Sequence, residues 1–99
     1  MTHFNNLPAA PAERLAMLSE EAGEIIQAIG KVFRHGYEST HPNGGPTNRE
    51  ALAREVGDFL GVMDAMCRAG DLDREAVENH RADKWQRAWP YTHHQGRSP

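Results

Sequence analysis

Apolar residues return with a helical period over most of this chain. From Pro11 onward, Leu15, Leu18, Ala22, Ile25, Ile26, Ile29, Val32 and Phe33 recur every three or four positions until His35 and Gly36, the spacing of one buried face on a long α-helix. Pro11 suits the first helical position, where its missing N–H costs nothing, and Gly36 suits the stop. Residues 37–46 (YESTHPNGGP) bring Pro42, Asn43, Gly44, Gly45 and Pro46 together, which predicts a loop; its length hints at a function. Thr47-x-x-Glu50 reads as a capping box that opens a second helix through Leu52, Val56, Phe59, Leu60, Met63, Met66 and Cys67 to Gly70. Asp71 or Asp73 then caps a third helix, which carries Leu72, Ala76, Val77, His80, Trp85 and Trp89 and is ended by Pro90. The tail 91–99 is polar and expected to be weakly ordered.

No stretch alternates with period two, so the prediction is all-α: one helical domain over residues 1–99, with its core at about 11–89. Three helices bury their stripes poorly alone. The bundle is therefore expected to be completed by another subunit, as a dimer or tetramer, or by a short helix near residues 5–10.

Composition removes several alternatives. The chain has 99 residues, 14 acidic against 11 Lys and Arg, and a formal charge of −3, which argues against a nucleic-acid partner bound through a broad basic surface. The lone Cys67 cannot form an internal disulfide or a cysteine-rich zinc site. Residues 1–10 lack a basic, apolar leader pattern, and no apolar run approaches the roughly 20 residues that span a bilayer. The expectation is a soluble cytoplasmic protein with no membrane partner, in the host cytoplasm if the chain is viral.

Two acidic pairs carry the candidate chemistry: Glu21-x-x-Glu24 on the first helix and Glu55-x-x-Asp58 on the second. Counted at roughly 100° per residue from Leu15, the main apolar positions fall between about 260° and 20°, with Glu21 at about 240° and Glu24 at about 180°. Counted from Ala51, Glu55 at about 40° lies between Val62 at about 20° and Met66 at about 60°, with Asp58 at about 340° on the margin. Carboxylates set against apolar stripes are relieved by a shared hard cation, since oxygen ligands suit Mg²⁺ or Mn²⁺. The same pairs also fit a solvated acidic face or a helix-dipole role, and the geometry alone leaves both open. Glu20 falls on the exposed side. Di-iron chemistry needs a Glu-x-x-His on each of two helices, and the one such spacing, Glu38-x-x-His41, falls in the Pro/Gly loop.

Lys31 and Arg34 follow Glu24 on the first helix, and Lys84 and Arg87 sit on the third; they are candidates for phosphate oxygens, although cations near a helix C-terminus also simply favour the dipole. The methionines at helical spacing read as core filler, Trp85 and Trp89 as packing or subunit anchors, and His93-His94 as solvated.

The strings SEEAGEIIQAIGKVFRHG and NREALAREVGDFLGVM, separated by the loop, resemble the MazG-like family of all-α nucleoside triphosphate pyrophosphohydrolases, whose signature is an E-x-x-E helix followed by an E-x-x-D helix. The resemblance covers roughly residues 13–64, with a weaker continuation through Lys84 and Arg87; Ala82 stands where the family usually has an asparagine. It implies that Glu21, Glu24, Glu55 and Asp58 are the metal ligands. It implies Mg²⁺- or Mn²⁺-dependent cleavage of a (d)NTP to the monophosphate and pyrophosphate, in a homo-oligomer whose subunits share the site. The compact single-motif form resembles short viral and bacterial members and favours dGTP, with a pyrimidine deoxynucleotide (dUTP or dCTP) as the alternative. Phe4, Asn5, Asn6 and Gln27 are the candidate base or sugar contacts, through amides and a stacking ring. The competing expectation is a non-catalytic helical interaction module with a structural ion.

Overall fold

A computed structural model of the chain describes residues 5–96; Phe4 lies outside them. Three helices follow one another, α1 (Ala9–His35), α2 (Asn48–Ala69) and α3 (Arg74–Ala88), and a 3₁₀ turn (Trp89–Tyr91) ends the run. The architecture is all-α, and among the described residues the extended backbone is limited to one isolated bridge between Thr40 and Thr47. No described helix is long and apolar enough to cross a membrane.

α1 begins at Ala9, two residues before the proline expected to start it, so Pro11 occupies the first turn and the short extra helix near residues 5–10 does not form separately. That is compatible with proline, since the first N–H groups of a helix have no partner inside it. Gly36 ends α1 at φ 85° and donates its N–H to Val32 O at 2.7 Å. α2 opens on Thr47, whose hydroxyl oxygen accepts the Glu50 N–H at 3.1 Å. The next two orphan donors are taken by the loop, with Asn48 N–H to Ser39 O at 2.9 Å and Arg49 N–H to Tyr37 O at 2.8 Å. The loop is thus stitched to the start of α2. Gly70, in the left-handed conformation, closes α2, and the Asp71 N–H reaches Met66 O at 2.9 Å, the pattern that satisfies the last helical carbonyls.

Of the two candidate caps for α3, Asp73 takes the role, accepting the Glu75 N–H at 3.1 Å. Asp71 is engaged elsewhere: it receives both Nε (2.5 Å) and Nη2 (3.1 Å) of Arg14, a half-buried two-point ion pair. This joins the start of α1 to the end of α2, while the Asn48 amide at the start of α2 donates to Gly36 O at the end of α1. The helices therefore form an antiparallel hairpin.

The hairpin uses only half of the apolar stripe on α1. Leu18, Ala22, Ile25, Ala28 and Val32, centred near 280° on the count from Leu15, are half-buried or buried against α2. Leu15, Ile26, Ile29 and Phe33, centred near 0°, stay exposed, Ile26 at 69% and Phe33 at 87%. Among the described residues only Ala28 and Met66 are fully buried. α3 carries no buried residue and packs chiefly on the 3₁₀ turn, and Trp85 remains exposed. Trp89 donates its indole N–H to Gly96 O at 3.0 Å, turning the tail back. The radius of gyration, 17.3 Å, exceeds the roughly 13 Å of a compact 100-residue domain, so the third helix stands off the hairpin.

Removing the cap at the start of α2 tests this account of local structure. Thr47→Ala lowers the unfolding free energy by about 1 kcal/mol, read as a shift in the denaturant midpoint at unchanged slope.

Candidate metal centre

The antiparallel seam brings together the four acids that the sequence spaced on two helices. Glu21 flanks Leu18 and Ile25 on the face of α1 turned to α2, and Glu55 sits one turn before Phe59 and two turns before Val62 on the facing side of α2. Glu21, Glu24 and Glu55 are half-buried and Asp58 is exposed. Each offers one oxygen, and the four oxygens lie within 4.8 Å of one another.

Two of the carboxylate oxygens have no neighbour to satisfy them. Glu21 Oε2 and Glu55 Oε2 are buried without a hydrogen-bond partner, a costly arrangement for acceptor atoms withdrawn from water. The Glu55 carboxyl is held above the ordinary glutamate range: a hydrogen bond to Glu24 favours its protonated form, burial adds to this, and repulsion by Glu24 and Asp58 adds more, against a smaller opposing pull from Arg54. Without a cation, crowding of the carboxylates makes Glu55 hold its proton more tightly than a free glutamate does.

The donor set fits a hard divalent cation. All four ligand atoms are carboxylate oxygens, with no sulfur or imidazole among them, the preference of Mg²⁺, Mn²⁺ or Ca²⁺. Oxygens at about 2.1 Å from one Mg²⁺ lie at most about 4.2 Å apart. The four oxygens, all within 4.8 Å of one another, are close to that limit.

Clefts flank the acids on both sides. Glu24, Gln27, Lys31, Asn48, Arg54 and Glu55 line one of about 360 Å³. Arg14, Met17, Glu21, Asp58 and Gly61 line another of about 390 Å³. Lys31 also lines a third cavity, of about 420 Å³, under the loop, together with Arg34. Lys31, Gln27 and Arg34 therefore lie along one path from the acids. Lys84 and Arg87 do not: both line a groove on α3 itself, and Arg87 pairs with Asp83 at 2.8 Å. Asn6 lines neither cleft at the acids and adopts φ 52°; Asn5 accepts the Leu7 N–H at 3.1 Å.

Three polar neighbours escaped the sequence reading. Arg54 adjoins Glu55 in the chain and was masked by it. Asn48 was absorbed into the helix start. Arg14 has no motif; only its position on the seam face of α1, two turns before Glu21, pointed to it.

An all-helical hairpin with an oxygen-only acidic centre and an adjoining cationic path defines a class of protein suited to polyphosphate chemistry. The family model of the MazG nucleotide pyrophosphohydrolase domain matches residues 10–93, and the chain belongs to that family. Comparison with curated proteins and with solved structures gives no match.

The raised Glu55 carboxyl sets the sign of the pH dependence. A proton shared within the centre stabilises the metal-free fold fully below the ordinary glutamate range, and that contribution is lost as pH rises through the raised folded value. Metal-free protein therefore loses stability on passing from acid to neutral pH through this group. Mn²⁺ bound among the four carboxylates is expected to restore it and to release a proton, with an affinity that falls as the medium is acidified. Glu55→Gln raises the metal-free melting temperature at neutral pH and removes the response to Mn²⁺; calorimetry in two buffers of different ionisation heat measures both.

Proposed function

We propose that this chain is a metal-dependent nucleoside triphosphate pyrophosphohydrolase, converting a (d)NTP and water to the (d)NMP and pyrophosphate, with dGTP the favoured substrate. The observation that carries the reading is the convergence of Glu21, Glu24, Glu55 and Asp58, with two buried oxygens lacking any partner, in a chain of this family.

In this reading the four carboxylates hold Mg²⁺ or Mn²⁺. Bound there, the ion would polarise phosphoryl oxygens and acidify a water. Glu24 and Glu55, which line the same cleft, are placed to accept the proton that the attacking water gives up. Lys31 and Arg34, which make no ion pair among the described residues, bind the phosphate oxygens that the metal leaves free. Gln27 lies in the same cleft as Lys31, and its amide orients the nucleotide.

The working molecule is a homo-oligomer. Supporting this are the exposed half-stripe of Leu15, Ile26, Ile29 and Phe33 on α1, with Val56 and Leu60 on α2, and the standing-off of α3. An apolar face of this extent on a small chain is ordinarily covered. Lys84 and Arg87 then serve the centre of a second copy.

Incubation with each nucleoside triphosphate and Mg²⁺, with products resolved by ion exchange, tests the activity. Monophosphate and pyrophosphate are expected in equal amounts; no monophosphate from any nucleotide would leave a helical module with a structural ion. Glu24→Gln and Asp58→Asn each lower turnover by about 100-fold or more, with the helical circular-dichroism spectrum unchanged. Sedimentation equilibrium gives the oligomer, and Phe33→Glu, which places a charge on the exposed stripe, shifts it toward monomer.

A further inference from the structure

The loop between α1 and α2 is too well tied to be a mere connection. Asn48 Nδ2 donates to Gly36 O at 3.0 Å, Asn48 N–H to Ser39 O at 2.9 Å, and Thr40 bridges Thr47. Arg49 stacks 4.3 Å above the Tyr37 ring while its Nε bonds Glu38 at 2.7 Å. These bonds hold residues 37–46 as an arch over the end of α1. Beneath it lies the cavity of about 420 Å³, within the roughly 300–1,000 Å³ range of small-molecule sites.

The two ends of this cavity differ in chemistry. Lys31 and Arg34 supply fixed positive charge from α1, and Lys31, Asn48 and Ala51 are shared with the cleft that reaches Glu24 and Glu55. The arch contributes uncharged groups: Thr40, His41, Pro42 and Pro46. Flat apolar surface beside a few hydrogen-bonding groups suits a base and sugar, not a phosphate. Along α1, Glu24 and Lys31 are about 10.5 Å apart and Glu24 and His35 about 16.5 Å apart by helical rise. A nucleotide laid along the helix with its phosphates between the acids and Lys31 thus carries its nucleoside under the arch.

His41 supplies a defined hydrogen-bonding element. Its Nδ1 accepts the Asn43 N–H at 3.1 Å, so the ring proton resides on Nε2 and that nitrogen is a donor. Acceptors on a base edge answer it, and guanine offers two adjacent ones, O6 and N7.

We propose that the cavity under the α1–α2 loop is the nucleoside subsite, with His41 donating from Nε2 to an acceptor on the base; this rests on the pyrophosphohydrolase reading above. Because the arch is held before any ligand arrives, little ordering remains to oppose binding.

Titration calorimetry of the full chain with Mn²⁺ tests the assignment, using two probes: a non-hydrolysable α,β-imido dGTP and inorganic tripolyphosphate, which lacks a nucleoside. His41→Ala is expected to weaken the dGTP analogue by about 3- to 10-fold, the loss of one neutral hydrogen bond, and to leave tripolyphosphate unchanged. Thr40→Phe, which fills the cavity from the arch, is expected to weaken the analogue further with the same indifference to tripolyphosphate. Equal losses for both probes would make the cavity a phosphate site and overturn the proposal, as would an unaltered analogue affinity in both variants. Failure of the wild-type chain to bind either probe, with Mn²⁺ still bound, would instead reject the pyrophosphohydrolase reading and take this subsite with it. Thermal melting of each variant confirms that the fold is intact.

Discussion

Two glutamates occupy seam positions of the α1–α2 hairpin where an ordinary hairpin would place leucine, and much of the molecule is arranged around that fact. Glu21 and Glu55 each bury an oxygen with no partner, and Glu24 and Asp58 add charge at the rim. Withdrawing like charges from water into one place opposes folding twice, through lost hydration and through repulsion. The surrounding apolar residues must hold the acids in position, because the acids alone would separate the helices. The upward shift of the Glu55 carboxyl and a divalent cation are alternative answers to the same strain. A cation held among the four carboxylates would answer it more fully than one proton.

The cost of this seam explains why the chain looks incomplete by itself. Ala28 is the one fully buried residue on α1, and its small side chain leaves the cleft beside Glu24 open at the expense of core volume. Met66 is the counterpart on α2, two turns beyond Phe59. A core centred on so few residues gives a 99-residue chain little surplus stability. Restraint comes instead from polar ties at both ends of the hairpin: Arg14 to Asp71 at one, Asn48 to Gly36 at the other. These ties fix the axial register of α1 against α2, and the register determines whether Glu21 meets Asp58 and Glu24 meets Glu55.

Helix number, both helix-ending glycines and the Thr47 cap were legible in the sequence because each depends on local spacing; the acids were legible as two pairs, and only the family resemblance joined them into one set. Periodicity shows which residues share a face; it does not show which neighbour covers that face. The single α1 stripe from Leu18 to Phe33 therefore read as one surface, although the hairpin covers only the part around Ile25 and leaves Ile26 and Phe33 bare. The same limit applied to α3, where Trp85 was spaced as a packing or subunit anchor and stays exposed. Asp71 and Asp73 were equivalent as caps by residue type. What separates them is Arg14, 57 positions away in sequence, a contact that no local rule contains. The roles of Asn48 and His41 were hidden for a related reason, since each depends on the folded arch and not on a motif.

Charge along α1 gives the site a direction. Glu21 and Glu24 lie mid-helix, Lys31 follows two turns later, and Arg34 and His35 occupy the last turn. The helix dipole favours cations at this C-terminal end, so the sequence that stabilises α1 also creates a gradient from acidic to basic along its exposed flank. A polyphosphate is anionic throughout and would be repelled by bare acids; a divalent ion held between them would offset part of that charge and offer phosphate oxygens a direct ligand. In the proposed reading the phosphates would lie between that ion and Lys31, while the uncharged arch beyond Arg34 gains nothing from an anion. If that reading holds, the polarity of one helix would place the two ends of a nucleotide at opposite ends of the same path, before any residue distinguishes one base from another.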